Sequence, residues 1–338
     1  MDCITEFKKL TSIPSPSGFT NKVAEYTKGE FEKLGFCATL TKKGCVCVEL
    51  GGEGNPLVLS AHIDTLGGMV CEIKGNGRLR ISRIGGLQPQ NIEGENCQIF
   101  TRTGKTYTGC MQLDNASSHV NGNYATKERT FDTMEVVIDQ KTSSKLQTEQ
   151  LGISCGDYVC FDPRTVLTDS GYLKSRFIDD KLSVAILLNY ANYIAENNIV
   201  LPRKVYVYIT VFEEVGHGCA SFPYPYDDIL CVDMGCVGDG LTCDEHAVSI
   251  CAKDSSGPYN YDLTTKLIEC AKANNLNYAV DVYPHYGSDA SAALSAGYDV
   301  RHALIGSGVY ASHGYERTHL DGIANTLSLI KHFISNQK

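Results

Sequence analysis

Three short, nearly continuous apolar runs, residues 57–61, 205–212 and 229–232, are each followed closely by ionisable side chains: His62 and Asp64, then Glu213 and Glu214, then Asp233. A run that is apolar at successive positions offers no polar face to water. It reads as a strand covered on both sides, the usual state of a parallel sheet flanked by helices. In open sheets of that kind the ligand crevice lies beyond the carboxyl ends of the strands. One strand ending in an acidic residue would mean little. Three of them, joined by Asp179 and Asp180 just ahead of an apolar helical pattern at residues 182–194, mark a candidate site rather than a surface charge run. The same alternation of strands and helices predicts an α/β fold.

Around these runs, Ile4, Phe7 and Leu10 recur at helical spacing, and Pro14, Pro16 and Gly18 interrupt them before a second helical pattern through Val23, Phe31 and Leu34, with Gly35 as its stop. Residues 45–50 read as a strand. After Gly68 the chain becomes rich in Gly, Thr and Asn with short β-prone runs at 98–101, 134–138 and 158–161, which predicts a β-rich insertion at 69–161 within a catalytic domain made of 1–68 and 162–338. Later elements are predicted as helices at 263–273, 290–296 and 322–333 and a strand at 280–283. Gly67-Gly68, Gly216 and Gly218 read as tight turns, since no phosphate-binding motif accompanies them.

The chain has 338 residues, 43% of them apolar, ample for a large core. Its formal charge of -9 comes from 39 acidic against 30 basic residues, with no basic field for a nucleic acid partner. No basic segment followed by an apolar core opens the chain, and no stretch has the apolar length of a membrane span, so a cytoplasmic protein is expected. The 15 cysteines are odd in number and form no CxxC pair among Cys45/Cys47, Cys155/Cys160 and Cys231/Cys236. Reduced thiols are expected, neither a disulfide framework nor a thiolate zinc site.

Imidazole supplies a neutral nitrogen donor and carboxylates supply anionic oxygens, a mixture suited to Zn²⁺, Co²⁺ or Mn²⁺. Asp64, two residues beyond His62, is placed to orient that ring through its other nitrogen; a solvated acidic loop is the alternative. His217, His285, His302 and His319 read as ordinarily hydrogen-bonded, and Tyr286, Tyr310 and Tyr315 as packing residues.

The segments Ser60-Ala61-His62-Ile63-Asp64, Ser175-Arg176-Phe177-Ile178-Asp179-Asp180-Lys181, Phe212-Glu213-Glu214-Val215-Gly216, Asp233-Met234-Gly235, Gly287-Ser288-Asp289-Ala290 and Ser312-His313-Gly314-Tyr315-Glu316 follow in an order that resembles the glutamyl and tetrahedral aminopeptidase family of dinuclear metallopeptidases. The resemblance runs through nearly the whole chain. It implies a phosphorylase/hydrolase-like three-layer α/β metallopeptidase domain with an inserted β-rich, barrel-like domain. It implies two divalent ions per subunit, Zn or Co first and Mn next: His62 and Asp233 on one, Glu214 and His313 on the other, Asp179 between them. Glu213 would stay off the metals and pass the proton, with Asp64 as the second catalytic position. A cis Asp179-Asp180 peptide is implied as well, against the simpler reading of Asp180 as a helix cap. Thr65 and Lys181 depart from the family's usual acidic residue and arginine. The implied activity is release of amino-terminal residues from short unblocked peptides by a homo-oligomer, commonly a dodecamer, with a dimer as the smaller alternative. An N-acyl amino acid deacylase, a carboxypeptidase and a catalytically silent assembly protein are the competing readings.

Overall fold

The Leu57–His62 strand is buried at every position and lies between two parallel neighbours, Val205–Thr210 and Asp228–Val232. This is the centre of a computed structural model that describes residues 2–336. Thr210 stands in register with His62, and Cys231 with Ser60. The three strands therefore end at nearly one level, and whatever follows them is gathered along one edge. Asp228–Val232 pairs in parallel with Arg301–Tyr310, while Val46–Gly51 runs antiparallel beside Val205–Thr210.

Helices cover the sheet. Ile178–Asn197 buries Val184, Ala185, Ile186, Leu187 and Leu188 in succession, as a helix must when it is enclosed on all sides; it packs against the Leu57–His62 strand and the helices Cys3–Ser12 and Leu320–Ser335. Cys3–Ser12 buries Ile4, Phe7 and Leu10, and Asp2 caps its start by accepting from the Thr5 N–H at 2.9 Å, a bond of about 1 kcal/mol. Asn21–Lys33 ends before Gly35, whose φ of 89° continues the chain where a side chain would be strained.

The run at 205–212 is strand only to Thr210, because Glu213–Val215 turns as a short 3-10 helix. Arg301–Tyr310, Val248–Asp254, Tyr172–Ser175 and Glu316–His319 are strands that the apolar pattern did not announce. In the first of these, Gly306 and Gly308 break the pattern for a packing reason. A Cβ on Gly306 would fall 1.4 Å from the Asp233 carbonyl oxygen, and one on Gly308 2.0 Å from that of Asp244.

The chain divides into two compact units, residues 2–65 with 164–336, and residues 66–163. The second is a closed six-stranded barrel in the order Gly67–Ile73, Leu79–Ile84, Met134–Ile138, Thr106–Leu113, Asn96–Phe100, Tyr158–Phe161. Closure leaves no unpaired edge, and Val70, Leu79, Ile81, Ile99, Met111, Val136 and Val159 fill the inside. Gly67 and Gly68 are strand residues here and not a turn: a Cβ on Gly68 would meet Ile81 Cδ1 at 2.6 Å. The helix Lys145–Gln150 in this unit is mostly polar, with only Thr148 buried, so no apolar stripe signals it. The α/β domain carrying an inserted barrel is thus the architecture expected from the sequence. None of the 15 cysteines is in a disulfide. Among the described residues no helix is long and apolar enough to cross a membrane.

Candidate metal centre

His62 closes the central strand, and the two groups beyond its neighbours meet it. Its Nε2 is 3.0 Å from Asp179 Oδ1, 3.7 Å from Glu213 Oε2 and 4.0 Å from Asp233 Oδ2. The other oxygen of Asp179, Oδ2, is 3.5 Å from His313 Nε2, which is also 3.5 Å from Glu214 Oε2. Asp179 accordingly faces one imidazole with each oxygen. His62, Glu213 and Asp233 form one set of donor atoms within 4.8 Å of one another, and His62, Asp179 and Glu214 a second.

Asp64 is fully buried and organises the set from behind. The His62 Nδ1–H donates to its main-chain carbonyl at 3.0 Å, while its carboxylate Oδ1 is 3.5 Å from the same nitrogen. Its carboxylate accepts from the Ser17 hydroxyl and from the N–H groups of Glu213 at 3.1 Å and Glu214 at 3.3 Å. The orientation expected of Asp64 is therefore exerted through its backbone, and its side chain holds the turn that bears both glutamates. The Asp179-Asp180 peptide is cis. Asp180 lies at the kink where the regular helix begins, with non-helical backbone angles, and its carboxylate accepts the His62 N–H at 3.1 Å.

Other carboxylates hold the frame. Glu316 accepts from the N–H of Asp179 at 3.1 Å and of His313 at 3.0 Å. Asp289 accepts from Thr210 Oγ1 at 2.6 Å, Ser60 Oγ at 3.1 Å and Cys219 N at 2.7 Å, and its Oδ1 occupies the space where a Gly218 side chain would begin. Both residues stand in segments singled out in the sequence, but only tertiary contacts reveal these tasks. Lys181 is buried and donates to the Leu10 and Ile13 carbonyls at 2.9 and 2.8 Å, and Thr65 pairs with Ser15 and Ser17. These two departures from the family wording serve chain packing.

Burying so many carboxyl groups together disfavours their charged forms. Burial, with the Asp179 charge, pushes Asp233 up to about 7 and Glu316 up to about 8. Glu213 and Glu214 are raised as well, by burial first and then by neighbouring carboxylates. Burial alone would lower His62 and His313, yet the Asp179 contacts and the surrounding charges outweigh it, raising His62 and bringing His313 to about 10. Asp180 Oδ1 is buried without a hydrogen-bond partner. The His62 Nδ1–H donates to the Asp64 carbonyl, and Nε2 points at the Asp179 oxygen, where the raised affinity holds a second proton that a cation would displace. Divalent cations held by nitrogen and oxygen donors fit that set, and the second nitrogen's backbone bond is the usual support of a metal-binding imidazole.

Residues 44–329, which contain every candidate residue, match the model of the M42 glutamyl aminopeptidase family. The chain belongs to that family. With the His, Asp and Glu groupings described above, it is a metal-dependent aminopeptidase of the M42 type. It is 43% identical over 332 residues to the putative aminopeptidase YhfE of Bacillus subtilis (strain 168), covering 97% of this chain and 96% of that one. Its fold matches that of the Pyrococcus horikoshii TET1 peptidase with a TM-score of 0.86 at 24% identity, over 99% of this chain and 100% of the other. The aminopeptidase APDkam598 of the archaeon Desulfurococcus kamchatkensis aligns with a TM-score of 0.88 at 22% identity, over 99% and 95% of the two chains.

Proposed function

We propose that the M42 chain removes single residues from the amino end of short unblocked peptides, with His62, Asp233 and Asp179 holding one divalent ion and His313, Glu214 and Asp179 a second. The observation that carries this reading is Asp179, whose two oxygens lie 3.0 and 3.5 Å from two different imidazoles. When bound, such ions acidify water and polarise the scissile carbonyl. Zn²⁺ or Co²⁺ suits the donors best, with Mn²⁺ next.

Glu213 takes the proton of the attacking water on a carboxylate oxygen and returns it to the departing amine. Burial and its acidic neighbours raise its affinity for that proton, the direction a general base acting near neutrality needs. Asp64 keeps Glu213 and Glu214 on one turn, where on this reading the first serves the proton and the second the ion. Catalysis belongs to the unit of residues 2–65 and 164–336. The Pyrococcus horikoshii TET1 peptidase can assemble into a tetrahedron, and a homo-oligomer, a dodecamer in particular, is proposed here by that likeness. Fifteen cysteines outside any disulfide support a cytoplasmic home.

Matched free, N-acetylated and C-amidated peptides, incubated with metal-loaded enzyme and read by mass spectrometry, test the reading. The free and amidated peptides should each lose their first residue, and the acetylated one should resist. Release of the acyl group would favour a deacylase, and shortening from the carboxyl end a carboxypeptidase. No turnover with intact metal content would favour a silent assembly protein.

A further inference from the structure

Outside the catalytic centre, three metal-binding side chains converge where the Glu316–His319 strand passes into the Leu320–Ser335 helix. His246, His319 and Asp321 offer donor atoms within 4.8 Å of one another. Asp321 Oδ2 is 3.1 Å from His246 Nδ1 and 3.2 Å from His319 Nδ1. Donors about 2.0–2.1 Å from a tetrahedral ion stand roughly 3.3 Å apart, so both separations are those of a tetrahedral edge.

The hydrogen bonds around the two rings leave the right nitrogens free of protons. His319 Nε2–H donates to the Ser170 carbonyl at 2.9 Å, and Nδ1 accepts the Asp321 N–H at 3.1 Å. An ion at Nδ1 takes the place of that N–H on the single lone pair, with the Asp321 carboxylate 3.2 Å away as a second donor. His246 Nε2 is 3.3 Å from the Tyr172 hydroxyl, which can accept its proton and leave Nδ1 for a ligand. A ring nitrogen turned to a backbone carbonyl or a fixed side chain is the usual second contact of a metal-bound imidazole. Gly171 leaves room for this: a Cβ there would lie 2.6 Å from His319 Nε2. The Arg317 guanidinium is engaged by the Tyr172 ring at 3.7 Å and Glu245 at 3.2 Å. The positive end of the helix opposes a cation, and the Asp321 carboxylate in its first turn answers it.

We propose that His246 Nδ1, His319 Nδ1 and Asp321 Oδ2 form a separate site for one borderline divalent ion, Zn²⁺ or Co²⁺, with a solvent-facing fourth position. It clips the loop before Val248–Asp254 to the junction of the last strand and helix. Three residues of strand, about 10 Å, separate it from Glu316 in the catalytic frame.

The test is zinc content of the full chain after Zn²⁺ loading and gel filtration, measured for the wild type, His246→Gln and Asp321→Asn. Each variant should hold one ion fewer per chain than the wild type, with peptide turnover unchanged. Tyr172→Phe should keep the ion but weaken it about 10- to 100-fold. Crystals in Zn²⁺ should give an anomalous peak between the three donor atoms. Equal zinc content in the wild type and both variants, or no peak there, overturns the site. Because Asp321 is exposed, its variant tests the site even if His246→Gln fails to fold. The comparison is between variants, so it holds whether the catalytic centre takes one ion or two.

Discussion

Asp64 is fully buried yet fixes four neighbours, accepting from His62 Nδ1 through its carbonyl and from the Ser17 hydroxyl and the Glu213 and Glu214 amides through its carboxylate. An Asp64→Asn chain has an NH2 group where one of those acceptors stood, and a buried N–H left without its partner costs about 1–3 kcal/mol. Urea unfolding should report a loss of that size, together with reduced metal content as the glutamate turn shifts. The two glutamates should separate cleanly. Glu213→Gln is expected to keep its metals and lose roughly 10²- to 10⁴-fold in kcat, the range for removing a general base. Glu214→Gln should instead lose an ion. Metal analysis beside kinetics decides, and equal metal loss in both would erase the division of labour.

Elements differ in how openly their sequences declare them. Residues 57–61 and 229–232 were legible as strands because burial on both faces demands consecutive apolar side chains, and the acidic residues beyond them were legible as a site for the same reason. Arg301–Tyr310 was not legible, since its glycines look like loop; they answer the close passage of the Asp233 and Asp244 carbonyls, which only the packed structure contains. His313 lies in a turn at φ 62° with no periodic pattern near it, so family resemblance rather than spacing found it. The supporting tasks of Glu316 and Asp289 draw in Asp179, Thr210 and Cys219, each 70 residues or more away in the chain. Gly306→Ala would drive a methyl group into the Asp233 backbone, and a loss above about 4 kcal/mol, or failure to fold, is expected in thermal melts. Lys181→Met removes two charge-assisted bonds to the end of the first helix. Its expected cost is about 2 kcal/mol or more, seen in denaturant midpoints with little change in KM.

At the scale of the molecule, the metals should be both cofactor and fastener. Exhaustive chelation is expected to abolish turnover, with Zn²⁺, Co²⁺ or Mn²⁺ restoring it, and to lower the melting temperature, because ions that bind only the folded chain stabilise it by mass action. Full turnover in metal-free protein would defeat the assignment. The donors also have an order in time. His62 emerges early in synthesis, and His313 follows about 250 residues later; at roughly 5–20 residues per second that interval is ~12–50 s. Throughout it the nascent chain carries His62 without its opposite imidazole, and the second half of the metal cage does not yet exist. On the proposed ligand set, a chain still lacking His313 lacks that donor, so its own activity begins only once it is nearly made.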